Sequence, residues 1–135
     1  MSRIESAEDL TARGSGFADF WTERHLCTLT TLRADGTPHV VPVGVTLDLA
    51  TATARVICSG TSYKARNVAA GNGIVAVCQV DGRRWSTLEG RAVVRREPDA
   101  VADAERRYAR RYRVPRVNPQ RVVLEIAVTR VLGNV

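Results

Sequence analysis

Apolar and polar positions along this chain switch period once. Up to about residue 24 they follow a helical spacing, and Phe17, Phe20 and Trp21 form one stripe at i, i+3 and i+4. This predicts a helical N-terminal segment over residues 5–24, with Ser15 as a cap and Gly14 and Gly16 separating it from what precedes. From residue 26 the period shortens to two. Leu26–Arg33 and Pro38–Leu47 read as strands around Ala34-Asp35-Gly36-Thr37, a hairpin signal of the Asp-Gly type. Arg55–Cys58 continues as a third strand. Ser59–Ser62 is then a small-residue loop, and Tyr63–Ala70 a short helix capped by Thr61 or Ser62 and ended by Gly71-Asn72-Gly73. Ile74–Val80 and Arg84–Arg96 flank a second Asp-Gly turn, Asp81-Gly82. Pro98 opens a helix over Asp99–Tyr112, with acids early and arginines late, as the helix dipole favours. Pro115 and Pro119 bracket a loop, and Arg121–Leu132 is the last strand.

Six strands joined mostly by hairpins predict a mainly β fold, a closed or partly closed antiparallel barrel with small helices. A parallel sheet would need a helix between most strands, and most of these connections have none. Pro38 and Pro42 cannot donate ladder hydrogen bonds, so the second strand is expected at an edge or a barrel opening. At 135 residues the chain reads as one domain, residues 1–24 helical and 25–135 barrel. Its apolar runs, such as Val40–Val45, are far too short to span a bilayer. The segment Met1-Ser2-Arg3-Ile4-Glu5 lacks the apolar stretch of a secretory signal, so a cytoplasmic location is expected. Cys27, Cys58 and Cys78 agree with that. They are odd in number, lie in apolar runs and form no CxxC pair, so they read as small buried hydrophobes.

Charge sharpens the picture. The formal net charge is +6, and Lys64 is the only lysine among 20 basic residues. Residues 83–116 hold eleven arginines against five acids, and Arg106–Arg121 holds seven arginines with no acid. Such a field suits polyanions: phosphates, carboxylate tails or nucleic acid.

Candidate chemistry is concentrated in Ser59-Gly60-Thr61-Ser62-Tyr63-Lys64. A strand ends there, hydroxyl residues follow, and a helix starts with the lone lysine. Amides, hydroxyls and an ammonium together make a phosphate cradle, though the same residues also suit an ordinary capped helix. Neither GxxxxGK[ST] nor GxGxxG occurs. Ser59, Ser62 and Ser86 have no GxSxG context, and His25 and His39 no partner pattern, so no catalytic residue is assigned. No metal-ligand spacing is visible, and no metal site is expected. Trp85 can stack on a ring or pack the barrel. Without built-in acid, base or metal, redox chemistry on a bound cofactor is the better enzyme hypothesis.

Several segments together resemble the pyridoxamine-phosphate-oxidase-like split-barrel superfamily, in its actinobacterial branch of F420-dependent flavin/deazaflavin oxidoreductases. They are Leu29–Val43 (LTTLRADGTPHVVPV), the Ser-x-Lys-x-x-Asn pattern of Ser62–Asn67, Gln79–Gly82 leading to Trp85, Leu88–Ala92, Arg121–Ile126 and Arg130–Gly133. The stretch Tyr108–Pro119 (YARRYRVPRVNP) is similar to the biliverdin reductase group of that branch. The resemblance implies an FMN-binding-like split barrel, assembled as a homodimer with the cofactor at the subunit interface. It places His39, Val40, Val41 and Pro42 beside a deazaflavin ring, and Ile57, Cys58, Ser59, Gly60, Thr61 and Lys64 at its ribityl and phosphate groups. It places Gln79, Val80, Arg84 and Trp85 near the cofactor, from the same or the second subunit.

The implied cofactor is coenzyme F420, with FMN as the alternative. FMN-using oxidases of the superfamily carry an Arg-Lys pair at the phosphate, where this chain has Tyr63-Lys64. They also carry a Trp…Arg substrate segment near the C-terminus that is not found here, so pyridoxamine-phosphate oxidation is not expected. The implied reaction is hydride transfer from reduced F420 to a conjugated acceptor, biliverdin in the first instance. Two other readings stand beside it: a non-catalytic flavin or haem carrier of the same fold, and an arginine-rich nucleic-acid-binding protein. No nucleic-acid motif is present, and neither nucleic acid nor membrane is expected as a partner.

Overall fold

A computed structural model describes residues 2–135. Its elements in chain order are β1 (Ser2–Arg3), α1 (Ala7–Thr11), α2 (Ser15–Thr22), β2 (Cys27–Leu32), β3 (Pro38–Val43), β4 (Thr46–Asp48) and β5 (Thr53–Ser59). There follow α3 (Tyr63–Ala69), β6 (Ile74–Asp81), β7 (Arg84–Arg95), α4 (Pro98–Arg111) and β8 (Arg121–Gly133). Every strand pair is antiparallel, and the strands lie in the order β3-β2-β6-β7-β8-β5-β4, with β1 added to the far end of β8.

The split-barrel expectation holds, and two details differ from the sequence reading. Eight strands form, because Ser2–Arg3 pairs with Arg130 and Val131 and because Pro38–Leu47 is two strands. The chain bends at Gly44-Val45, where Val45 turns its side chain fully into the core. The N-terminal segment is two helices, not one. Gly14, with φ at +92°, breaks it and is itself the N-cap, so Ser15 is the first helical residue.

β3 and β4 end the sheet on opposite sides, yet only Gly44 and Val45 separate them in the chain. That short link draws the two ends of the sheet toward one another and curls it into a barrel split along β3. Proline at Pro38 and Pro42 is compatible with this edge, whose outward amides pair with no further strand.

Alternation then fills the interior. Leu29 and Thr31 of β2, Val56 of β5, Val77 and Gln79 of β6, and Ser86 and Leu88 of β7 are all essentially inaccessible to solvent. α2 closes one end with Phe17, Phe20 and Trp21, and the Trp21 indole donates to Ser86 Oγ at 3.0 Å. Among the described residues, no helix is long and apolar enough to cross a membrane.

α4 is fastened by a side chain that composition alone would place on the surface. Arg111 is 8% exposed. It donates to the carbonyl of Val45 at 2.6 Å, to Gln79 Oε1 at 2.7 Å and to the Glu23 carbonyl at 2.8 Å, with the Phe20 carbonyl at 3.4 Å. All its acceptors are neutral, so this guanidinium joins α2, the β3–β4 link and β6 rather than pairing with a carboxylate. Next to it Tyr112 Oη donates to the His25 carbonyl at 2.7 Å and accepts from the Val45 amide at 3.1 Å. Burial pushes the Tyr112 phenol far above its ordinary range, which keeps it protonated.

Candidate active site

A cleft of about 390 Å³ opens at the split in the barrel. β3 and its exit supply Pro42, Val43 and Gly44 on one wall, and β5 supplies Ile57, Cys58 and Ser59 on the other. Ser62 and Lys64 enter from the start of α3. The roof is Tyr108 of α4 and the loop to β8, which brings Arg113, Arg116, Asn118 and Arg121.

The local sequence explains how α3 is held. Ser62 is extended at the N-cap, accepts from the Ala65 amide at 3.4 Å and donates to the Ser59 carbonyl at 2.7 Å. Asn67, the last residue of the Ser-x-Lys-x-x-Asn pattern, donates to the buried Thr31 Oγ1 at 3.0 Å. It clamps α3 to β2, which leaves Lys64 half-buried at the cleft mouth.

No carboxylate lines the cleft. Of its four cations only Arg121 has an acid partner among the described residues, Glu105 Oε2 at 2.7 Å. Lys64, Arg113 and Arg116 have none within 4 Å. The Arg121 Nε is moreover buried without a hydrogen-bond partner. Burial pushes the Cys58 thiol up, and Ser62, Lys64 and Arg121 offset this only in part, so the sulfur is not a ready thiolate. The chemistry of such a donor set is to hold an anion beside an apolar wall.

Not all residues singled out from the sequence gather here. Pro42, Ile57, Cys58, Ser59 and Lys64 line the cleft. Gly60 and Thr61 lie beside it: the Gly60 amide donates to the Gln120 carbonyl, and the Thr61 hydroxyl pairs with Ser59 Oγ. Val41 packs against the core, Val40 is 57% exposed, and His39 is half-buried with its ring 6.1 Å from that of Tyr63. Gln79 is 1% exposed and donates to the Phe20 carbonyl while accepting from Arg111, so its amide is occupied inside the barrel. Val80, Arg84 and Trp85 sit on the β6–β7 hairpin and do not reach this cleft.

The sequence reading missed Val43, Gly44 and Tyr108 and did not assign Arg113, Arg116, Asn118 or Arg121 to a site. The arginine field was the available signal. It is divided in the fold, since Arg111 is buried, Arg106 and Arg107 pair with Asp103, and Arg121 with Glu105. A gathering of Glu23, His25 and Asp81, with ligand atoms within 4.8 Å, was also invisible in the spacing. Arg84 occupies it, bonding Glu23 at 3.0 Å and Asp81 at 2.6 Å.

Residues 16–134 match the pyridoxamine 5'-phosphate oxidase family. This chain belongs to that family. Within it, a relative named F420H(2)-dependent biliverdin reductase, from Mycobacterium tuberculosis, is 59% identical over 115 residues, covering 85% of this chain and 83% of its own. Among solved structures, a conserved hypothetical protein of M. tuberculosis superposes with a TM-score of 0.77 at 22% identity, over 98% of this chain and 89% of its own. A protein named F420 reductase superposes with a TM-score of 0.71 at 23% identity, over 88% of this chain and 98% of its own. At those identities the two structures establish the fold that this member of the pyridoxamine 5'-phosphate oxidase family shares with them.

Proposed function

We propose that this chain is an F420-dependent reductase that passes a hydride from reduced deazaflavin to biliverdin. The carrying observation is the carboxylate-free cleft, in which Lys64, Arg113 and Arg116 stand unpaired beside the apolar wall of β3 and β5. F420 is an elongated polyanion, with a phosphate and an oligoglutamate tail attached to a flat ring. Its charges match this donor set, and the orphaned Arg121 Nε is a donor in want of an acceptor. The sequence of the 59%-identical biliverdin reductase supports the same cofactor and acceptor.

Lys64 and Ser59 would hold the phosphate, and Arg116 the carboxylate tail. The β3 exit, Pro42 to Gly44, would bear the ring. When bound, reduced F420 would supply the hydride from its C5, with the accompanying proton taken from solvent. Neither a carboxylate nor an imidazole lines the cleft, so the chain contributes by orienting its ligands and by fixed positive charge. Fluorescence titration tests the cofactor: F420 should bind at micromolar concentration or tighter and FMN more weakly. Equal or stronger FMN binding would move the reading to an FMN protein.

The assembly proposed is a homodimer. Register puts Val40, Ile74, Val80 and Trp85 on the outer face of β3-β2-β6-β7, where they are 57%, 50%, 65% and 39% exposed. Exposed apolar side chains sharing one sheet face suit an interface. A second copy seated there also gives Val80, Arg84 and Trp85 the role at the partner's site that the family resemblance implies. The reading extends to a cytoplasmic location, consistent with three cysteines that all remain free thiols.

A further inference from the structure

A second hollow, of about 470 Å³, adjoins the first. The two share Gly44, Tyr108 and Arg113, and the second adds Arg24, Leu26 and Tyr112. Its floor is aromatic. Tyr108 and Tyr112 lie with ring centroids 5.0 Å apart and planes inclined by 32°. They press against Gly44 so closely that a Cβ there would stand 2.7 Å from Tyr108 Cε2 and 3.0 Å from Tyr112 Cε2. Glycine is therefore what lets the aromatic floor run unbroken from one hollow into the other.

Leu26, which follows α2, lies at this hollow and is 74% exposed. Exposing so large an apolar side chain beside two tyrosines leaves a surface that a flat apolar body would cover. Arg24 and Arg113 are also exposed, and neither has a carboxylate within 4 Å among the described residues. Glu23, the acid nearest Arg24 in sequence, is held by Arg84 and His25. The charge on this hollow is thus uncompensated and positive.

We infer that this hollow is the acceptor site, a shelf for a flat conjugated dicarboxylate, with Arg24 and Arg113 engaging its two carboxylates over the Tyr108–Tyr112 floor. The inference rests on the reductase reading for its direction, since hydride transfer needs donor and acceptor in contact and the two hollows meet at Gly44 and Tyr108. Arg24 is the discriminating residue. It lines only the second hollow, whereas Arg113 lines both.

The test uses the full chain with biliverdin and with biliverdin dimethyl ester, whose carboxylates are masked. Binding is followed by the change in bilin absorbance, both without F420 and with oxidised F420 present. Arg24→Gln should weaken the diacid roughly three- to tenfold, as for one partly solvated charge-assisted contact, and leave the ester unchanged. Leu26→Asp should weaken both bilins, and F420 affinity should be unchanged in either variant. Both residues are exposed, so neither variant is expected to disturb folding.

Wild-type affinity for the diacid in Arg24→Gln would overturn the inference, as would an equal loss for diacid and ester, or no bilin binding under either condition. Turnover separates the two claims. If bilin binding shows this pattern while biliverdin does not oxidise reduced F420, the shelf stands and the reductase reading fails. If turnover proceeds with an unchanged KM in Arg24→Gln, the reductase reading stands and the shelf is refuted.

Discussion

Replacing Arg111 by methionine should unfold this protein about 10 °C earlier, and the reason can be followed bond by bond. Methionine fills a similar volume but donates nothing. The Glu23 carbonyl would lose the side-chain donor that reaches it at 2.8 Å. The buried Val45 carbonyl would lose its donor at 2.6 Å, since the single Tyr112 hydroxyl proton goes to the His25 carbonyl. Two other acceptors would each lose one donor and keep another: the Phe20 carbonyl keeps Gln79 Nε2 at 2.9 Å, and Gln79 Oε1 keeps the Cys27 thiol at 3.3 Å. One stranded buried carbonyl costs about 1–3 kcal/mol, and each lost charge-assisted bond adds on the order of 1 kcal/mol where a second donor remains. Removing a buried charge returns part of this. The net loss is then about 3 kcal/mol, a large share of the 5–15 kcal/mol typical of a domain. At roughly 3–5 °C per kcal/mol for a chain of this size, that is about 10 °C. Urea unfolding with an unchanged m-value is the clean measurement. Arg111→Lys should fall between, since an ammonium keeps the charge but cannot fork across acceptors on α2, the β3–β4 link and β6. A loss below about 1 kcal/mol for Arg111→Met, with m unchanged, would refute this account of how α4 is anchored.

Lys64→Ala should weaken F420 binding roughly ten- to a hundredfold, as for one charge-assisted phosphate contact, and unchanged affinity would move the phosphate to the roof arginines. The melting temperature of that variant should hold or rise slightly, because a cation in the first turn of α3 opposes the helix dipole. Light scattering should give a dimer, burying about 2,000 Å² or more, and Val80→Asp on the apolar outer face should shift it to monomer; a wild-type monomer at micromolar concentration would refute the interface. Alkaline stability follows from the Cys27 and Cys58 thiols and the Tyr112 phenol, all pushed up chiefly by burial. Their folded values exceed the unfolded ones, so the stability they contribute is complete below about pH 8.5 and is lost as pH rises past the thiol range. Cys58→Ala should flatten part of that decline in a melting series, and an identical pH profile would count against it.

What the sequence determined by itself was local. Asp35-Gly36 and Asp81-Gly82 announce hairpins because a turn needs positive φ, and Gly36 and Gly82 adopt +86° and +61°. A hydroxyl residue at 61 or 62 caps α3, and the structure makes it Ser62; Pro38 and Pro42 mark an edge, and the alternation of β2, β5, β6 and β7 places the core. The strand-loop-helix start around Lys64 was legible for the same reason, being a rule about neighbours within one turn. The rest belonged to the tertiary structure. One arginine among nineteen is a buried fastener, Gln79 serves the interior and not the cleft, and Arg113 and Arg116 face Lys64 across the barrel split. Arg111 reaches acceptors 32, 66, 88 and 91 positions away in the chain. No spacing rule spans such distances, because whether a guanidinium meets water or a carbonyl is settled only when the sheet curls and closes α4 over it.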